Sequence, residues 1–213
     1  MSNMAIQKDL FISTNQQKVL SFLAKFSDQE YHEREIARKV GISYGSANRV
    51  LNDLAGHGLL MRRQVGKMLF YSFNQSDPIL KPFKIFISIA LLRPLIDKMR
   101  SVASEVVLYG SCARGEDASK SDVDLFIISE DKEEALRLIR SYKFFKGFEH
   151  LKIEGVIFSP VELLKSEKDD REFLSLVREG IVLWDKMEDE AEIQGLSESR
   201  QDYSISPRKV PRR

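Results

Sequence analysis

Apolar residues recur with two different periods along this chain, and the change of period divides it. After Ser13-Thr14-Asn15, any of which can cap a helix, Val19, Leu20, Leu23 and Phe26 fall on one helical face. A second helix is expected over 32–40, with Ile36, Ala37 and Val40 inward and Gly41 placed to end it with a positive φ. Ser43 can cap a third, whose buried stripe is Ala47, Val50, Leu51 and Leu54 and which Gly56 and Gly58 end. Residues 59–64 and 67–73 then read as two strands joined at Val65-Gly66. From Asp77 to about Arg100 the pattern turns helical and strongly apolar, with Ile85, Phe86, Ile89, Leu92, Leu95, Ile96 and Met99. Such a segment can be a connector between two domains, a dimer interface or a plain core helix.

The second half alternates differently. Residues 106–109 and 123–128 read as short buried strands, and 131–141 as a helix with Ala135, Leu138 and Ile139 inward. A third strand is expected over 151–158, then Pro160 and helical turns to about Glu179. Gly180 breaks them, and 181–184 makes a last strand. Helices gathered against a small mixed sheet give an α+β class. The expected organisation is an N-terminal segment 1–12, a helical domain 13–82, a connecting helix 83–100, a sheet domain 101–187 and a disordered polar and basic tail 188–213.

Composition narrows the class. Hydrophobic residues make up 43% and charged residues 31% of 213, the balance of a soluble globular protein. With Cys112 the one cysteine, no disulfide can form within the chain, so nothing asks for an oxidising compartment. Met1 to Leu10 lacks the layout of a secretory signal, and the apolar stretch 83–96 is interrupted by Lys84, Arg93 and Pro94. A cytoplasmic protein without membrane association is expected. The formal net charge is +1, but residues 13–82 carry ten Lys and Arg against six Asp and Glu. That local excess suits a polyanion partner. His32, His57 and His150 have no metal-ligand spacing; the first two read as surface or cap residues.

The chemistry concentrates in 108–126. A buried strand runs into Gly110-Ser111, where a missing Cβ lets backbone approach a ligand and the hydroxyl and amides can hold phosphate oxygens. Arg114 lies close by and can pair with phosphate or brace the loop. Asp122 and Asp124 stand two apart at the start of the next strand, so both carboxylates fall on one face. Two like charges so placed are costly unless a cation neutralises them, and a hard divalent ion is the natural complement. Cys112 reads as a small filler, since no histidine is near it in sequence.

Gly110-Ser111, then Asp122-Val123-Asp124, resembles the signature of the polymerase-beta-like nucleotidyltransferase superfamily. With Ala113-Arg114-Gly115 and Ser121-Asp122, it is most similar to the minimal nucleotidyltransferases, over roughly 101–185. The resemblance implies transfer of a nucleoside monophosphate from a nucleoside triphosphate, commonly ATP, to a hydroxyl, with Mg2+ or Mn2+ as cofactor. It implies a third carboxylate on a later strand, usually Asp, and the matching position is Glu154. Asp122, Asp124 and Glu154 are therefore the expected catalytic and metal-holding residues, and Gly110, Ser111, Arg114 and Ser121 the expected nucleotide-binding ones.

Three helices and a hairpin over 14–73 resemble a winged helix-turn-helix domain. Glu35 to Ser43 is similar to its helix and turn, and Ser43 to Leu51 to its recognition helix. If the apolar stripe faces inward, Ser43, Tyr44, Ser46, Asn48, Arg49 and Asn52 are available outward to DNA, with Arg62, Arg63 and Lys67 beside the hairpin. Winged helices also dock proteins. The leading reading is a nucleotidyltransferase tethered to a DNA-binding domain. One alternative is a transcriptional regulator whose transferase-like domain senses a nucleotide or is inactive. Another is an antitoxin-type enzyme that adenylylates a helical toxin partner, a protein acceptor. A homodimer is a further expectation, from the apolar surface of 83–99.

Overall fold

The computed structural model describes residues 11–166 and 170–190. The α+β class expected from the pattern is the class found. The first unit opens with α1 (Asn15–Lys25), whose Thr14 and Gln17 form a reciprocal capping box. Such a cap is worth about 1 kcal/mol. A two-residue strand β1 (Tyr31–His32) follows, too short for a sequence pattern to reveal. Then come α2 (Glu33–Val40) and α3 (Tyr44–Gly56), joined through Gly41 at φ 73°. His32 caps α2 by accepting from Arg34 N, and Ser43 caps α3. The hairpin of β2 (Leu60–Val65) and β3 (Met68–Phe73) turns at Gly66, φ 59°. Its sheet has the order β1-β3-β2, all antiparallel.

Helix α4 (Leu80–Met99) runs from this unit into the next. Its Ile87, Leu91, Leu92, Leu95, Ile96 and Met99 are buried in one continuous cluster, which also holds Val19, Phe22 and Leu51 of the first unit and Val106, Leu108 and Leu125 of the second. Fully burying a side chain of this size contributes about 1.5–3 kcal/mol.

The second unit is a four-stranded mixed sheet with the order β6-β5-β4-β7. Strand β4 (Ala103–Tyr109) leads into a short helix α5 (Gly110–Arg114), then β5 (Val123–Ser129), α6 (Lys132–Ser141) and β6 (Ile153–Phe158). Helices α7 (Pro160–Ser166) and α8 (Arg171–Arg178) precede β7 (Ile181–Asp185). Strand β5 pairs antiparallel with β4 and parallel with β6. Alternation along β5 sorts its side chains: Val123, Leu125 and Ile127 join the common core, while Phe126 and Ile128 pack with Val107, Leu174 and Val177 under α8. Asp122 and Asp124 share the parity of Phe126 and Ile128, and so head that second face.

Residues 186–190 are helical, so the polar segment expected from 188 is ordered at its start. The remainder of the expected tail, 191–213, and most of the expected N-terminal segment lie outside the described residues. Among the described residues, no helix is long and apolar enough to cross a membrane.

Candidate active site

The Gly-Ser segment expected as a loop is instead the first turn of α5. Gly110 has φ 70°, a conformation that favours glycine, and a Cβ there would collide with the Asp124 carboxylate. Glycine thus brings backbone against the acid that the next strand presents. Gly115 ends α5 at φ 66°, and a Cβ there would run into the Lys81 backbone. The motif is in this way seated directly on the first turn of α4.

Strand register assembles the acids. Asp124 is the partner of Tyr109 on β4 and of Glu154 on β6. Paired residues of neighbouring strands point to the same face, so Glu154 stands beside Asp124. Asp124 is half-buried, and its carboxyl is held above the usual aspartate range by burial, then by the charge of Glu154 and that of Asp122; Arg114 opposes the shift. Burial and the charges of Asp124 and Glu154 likewise push up the Tyr109 phenol. Among the described residues, the carboxylates of Asp122, Asp124 and Glu154 accept no hydrogen bond and form no ion pair. The donor set therefore fits a hard divalent cation: oxygen ligands on one sheet face, with charge that the described protein leaves uncompensated. Among the described residues, no three His, Cys, Asp or Glu side chains are already gathered tightly enough to hold an ion.

Of the residues expected at the nucleotide, Ser111 is half-buried on α5. Arg114 is exposed, and its Nε donates to Glu116 Oε2 at 3.0 Å, while Lys81 of α4 donates to Glu116 Oε1 at 2.8 Å. The guanidinium is so braced from the helix that joins the two units. Ser121 Oγ accepts from Ala118 N at 2.9 Å and tightens the loop before Asp122. Tyr109, absent from the expected set, packs edge-on against Phe173 of α8, with ring centroids 5.7 Å apart. Its only sequence signal was its place next to Gly110.

The outward residues of the first unit are partly engaged. Glu33, 4% exposed, accepts from Asn48 Nδ2 at 2.6 Å and from Tyr44 OH at 3.3 Å. Arg63 is bound through two nitrogens to Glu30. Asn52 Oδ1 accepts from Arg62 Nη1 at 3.4 Å and from Tyr71 OH at 3.4 Å. Ser43 and Ser46 bond to each other at the start of α3. Arg49 and Lys67 are exposed.

Among curated proteins, none matches the chain. Among solved structures, NolR from Sinorhizobium fredii is 20% identical with a TM-score of 0.30, covering 41% of this chain and 83% of its own. Reduced HlyU from Vibrio cholerae is 20% identical with a TM-score of 0.29, covering 44% and 90%. A Sulfolobus solfataricus protein provisionally titled a nucleotidyltransferase is 17% identical with a TM-score of 0.34, covering 54% and 95%. The sequence model of the nucleotidyltransferase domain matches residues 92–202, just over half of the chain and the whole span from Gly110 to Glu154. This chain belongs to the nucleotidyltransferase domain family and is an enzyme of that class.

Proposed function

We propose that the chain transfers a nucleoside monophosphate from a nucleoside triphosphate, with ATP the expected donor, to a hydroxyl acceptor, using Mg2+ or Mn2+ held by Asp122, Asp124 and Glu154. One observation carries this reading: strand register sets Glu154 beside Asp124, with Asp122 two residues away, and burial and then their charges hold the Asp124 carboxyl up, with no counter-charge from the described protein beyond Arg114. When bound, a divalent ion supplies charge neutralisation for acids and triphosphate and lowers the pKa of an attacking hydroxyl. The chain's own part is placement. Gly110 keeps backbone close to Asp124, Ser111 offers a hydroxyl at the start of α5, and Arg114, braced by Glu116, offers guanidinium charge to phosphate. Ser121 fixes the turn from which Asp122 emerges.

The first unit, in this proposal, is a winged helix that binds DNA. Arg49, Arg62 and Lys67 are exposed and suit backbone phosphates. Ser43, Tyr44, Ser46, Asn48, Asn52 and Arg63 make internal bonds first, so sequence readout by them requires those bonds to open.

Calorimetry with each of four NTPs and Mg2+, on wild type and on Asp122→Ala/Asp124→Ala, tests the proposal. Binding that needs Mg2+ and disappears in the variant is the expected result, with transfer reduced at least about a hundredfold. Absence of binding by the wild type would sink the catalytic reading.

A further inference from the structure

The loop between Gly115 and Asp122 is gripped from outside its own unit. Lys25, at the end of α1, places Nζ 2.8 Å from Asp117 Oδ2, with the two side chains 2% and 0% exposed. The same amine donates to Ser88 Oγ of α4 at 2.9 Å and to Cys112 Sγ of α5 at 3.5 Å. Lys84 of α4 adds a bond to the Asp117 carbonyl and lies 3.9 Å from its Oδ1. Cys112 Sγ in turn donates to the backbone carbonyl of Asp122 at 3.5 Å. A second grip lies at the surface. Asp28 accepts from Ser119 N at 2.9 Å and from Ser119 Oγ at 2.8 Å, and Gln29 Nε2 donates to Ser119 Oγ at 3.1 Å.

The place of these contacts gives them consequence. Asp117 and Ser119 belong to the segment that delivers Asp122, whose own carboxylate has no partner among the described residues. Its position therefore depends on where the loop is held. A cavity of about 440 Å³, lined by Asp28, Lys84, Gly115 and Asp117 among others, lies beside that loop. It offers space into which an ungripped loop can relax.

We infer that Lys25 and Asp28 of the first unit are positioning residues of the transferase site, so that nucleotide affinity depends on how α1 is docked. This rests on the proposed nucleotide site. Because coupling between sites is reciprocal, a ligand that shifts α1 would change nucleotide affinity, and nucleotide would change that ligand's affinity by the same factor.

Asp28→Ala is the decisive variant, because Asp28 is exposed and its loss leaves the core intact. MgATP affinity and the split between KM and kcat are measured on the full chain for wild type, Asp28→Ala, Asp28→Asn and Glu30→Ala. Expected is a loss of affinity on the order of tenfold for Asp28→Ala, within the usual range of coupling between sites. Asp28→Asn, which keeps an acceptor for Ser119 N, should recover most of it. Glu30→Ala, which breaks only the Arg63 pair, should match wild type. Wild-type affinity in Asp28→Ala would overturn the inference and leave the proposed function standing, as would an equal loss in Glu30→Ala. No MgATP binding by wild type would overturn both.

Discussion

Two clusters of charge sit within this chain, and they are built in opposite ways. Around Asp117 the protein supplies its own counter-charges, Lys25 and Lys84, and buries all of them. Contact there is ionic, at close range but without the alignment of good hydrogen bonds to the carboxylate. Burial lowers the Lys84 amine's pKa and Asp117 pulls it back up. Around Asp124 three acids share one end of a sheet face, half-exposed, and the described protein offers little in return. The first arrangement binds two units together; the second leaves a charge for something else to complete.

The largest effect is expected at the buried cluster. Asp117→Leu should strand the buried amines of Lys25 and Lys84 without their carboxylate and cost about 3–5 kcal/mol in denaturant unfolding. Lys25→Met combined with Asp117→Leu should cost less than Asp117→Leu alone, since one of the two stranded amines goes with it. A double variant worse than the single would contradict this account of the cluster.

A smaller effect is expected at Gly110. Gly110→Ala puts a Cβ at a φ of 70° and against the Asp124 carboxylate, for a destabilisation of about 1–3 kcal/mol. MgATP binding should weaken with it, because the side chain displaced is the central acid. Wild-type binding by a folded Gly110→Ala would separate the glycine from the site.

Least in size, but opposite in sign, is Asp124→Asn. A carboxyl raised by burial and by neighbouring acids contributes stability below its unfolded pKa, and that contribution is lost as pH rises through the folded value. At neutral pH the charge is therefore a burden. Its removal should raise Tm by about 1–3 °C while abolishing Mg2+-dependent nucleotide binding. A fall in Tm would mean that Asp124 has a stabilising partner.

How much of this was legible in the sequence follows from the range of each interaction. Val19 to Phe26, Gly41 and the Ser43 cap are local signals, and α1, α2 and α3 form close to where they place them. Asp122 and Asp124 could be put on one face because a strand has period two. Whether Glu154 meets them could not be read, since that depends on the register of β5 with β6, a pairing across 30 residues. Lys25 was less visible still. At the end of an amphipathic helix a lysine reads as solvated, and only the docking of α1 on α4 and α5 makes it a core residue. Tyr44 and Asn48 were placed outward by the helical wheel alone. Glu33, on a different helix, is what takes up their polar atoms. The Gly110–Arg114 helix was missed because five residues are too few for periodicity to show.

That Asp122, Asp124 and Glu154 together form a cation site is the proposal on which the rest depends. Paramagnetic resonance titration of Mn2+ into the full chain with ATP, on wild type and on Asp122→Ala/Asp124→Ala, addresses it directly. Bound Mn2+ in the wild type that is lost in the folded variant is the predicted result. Equal Mn2+ binding by the two proteins, or none by the wild type, would contradict it.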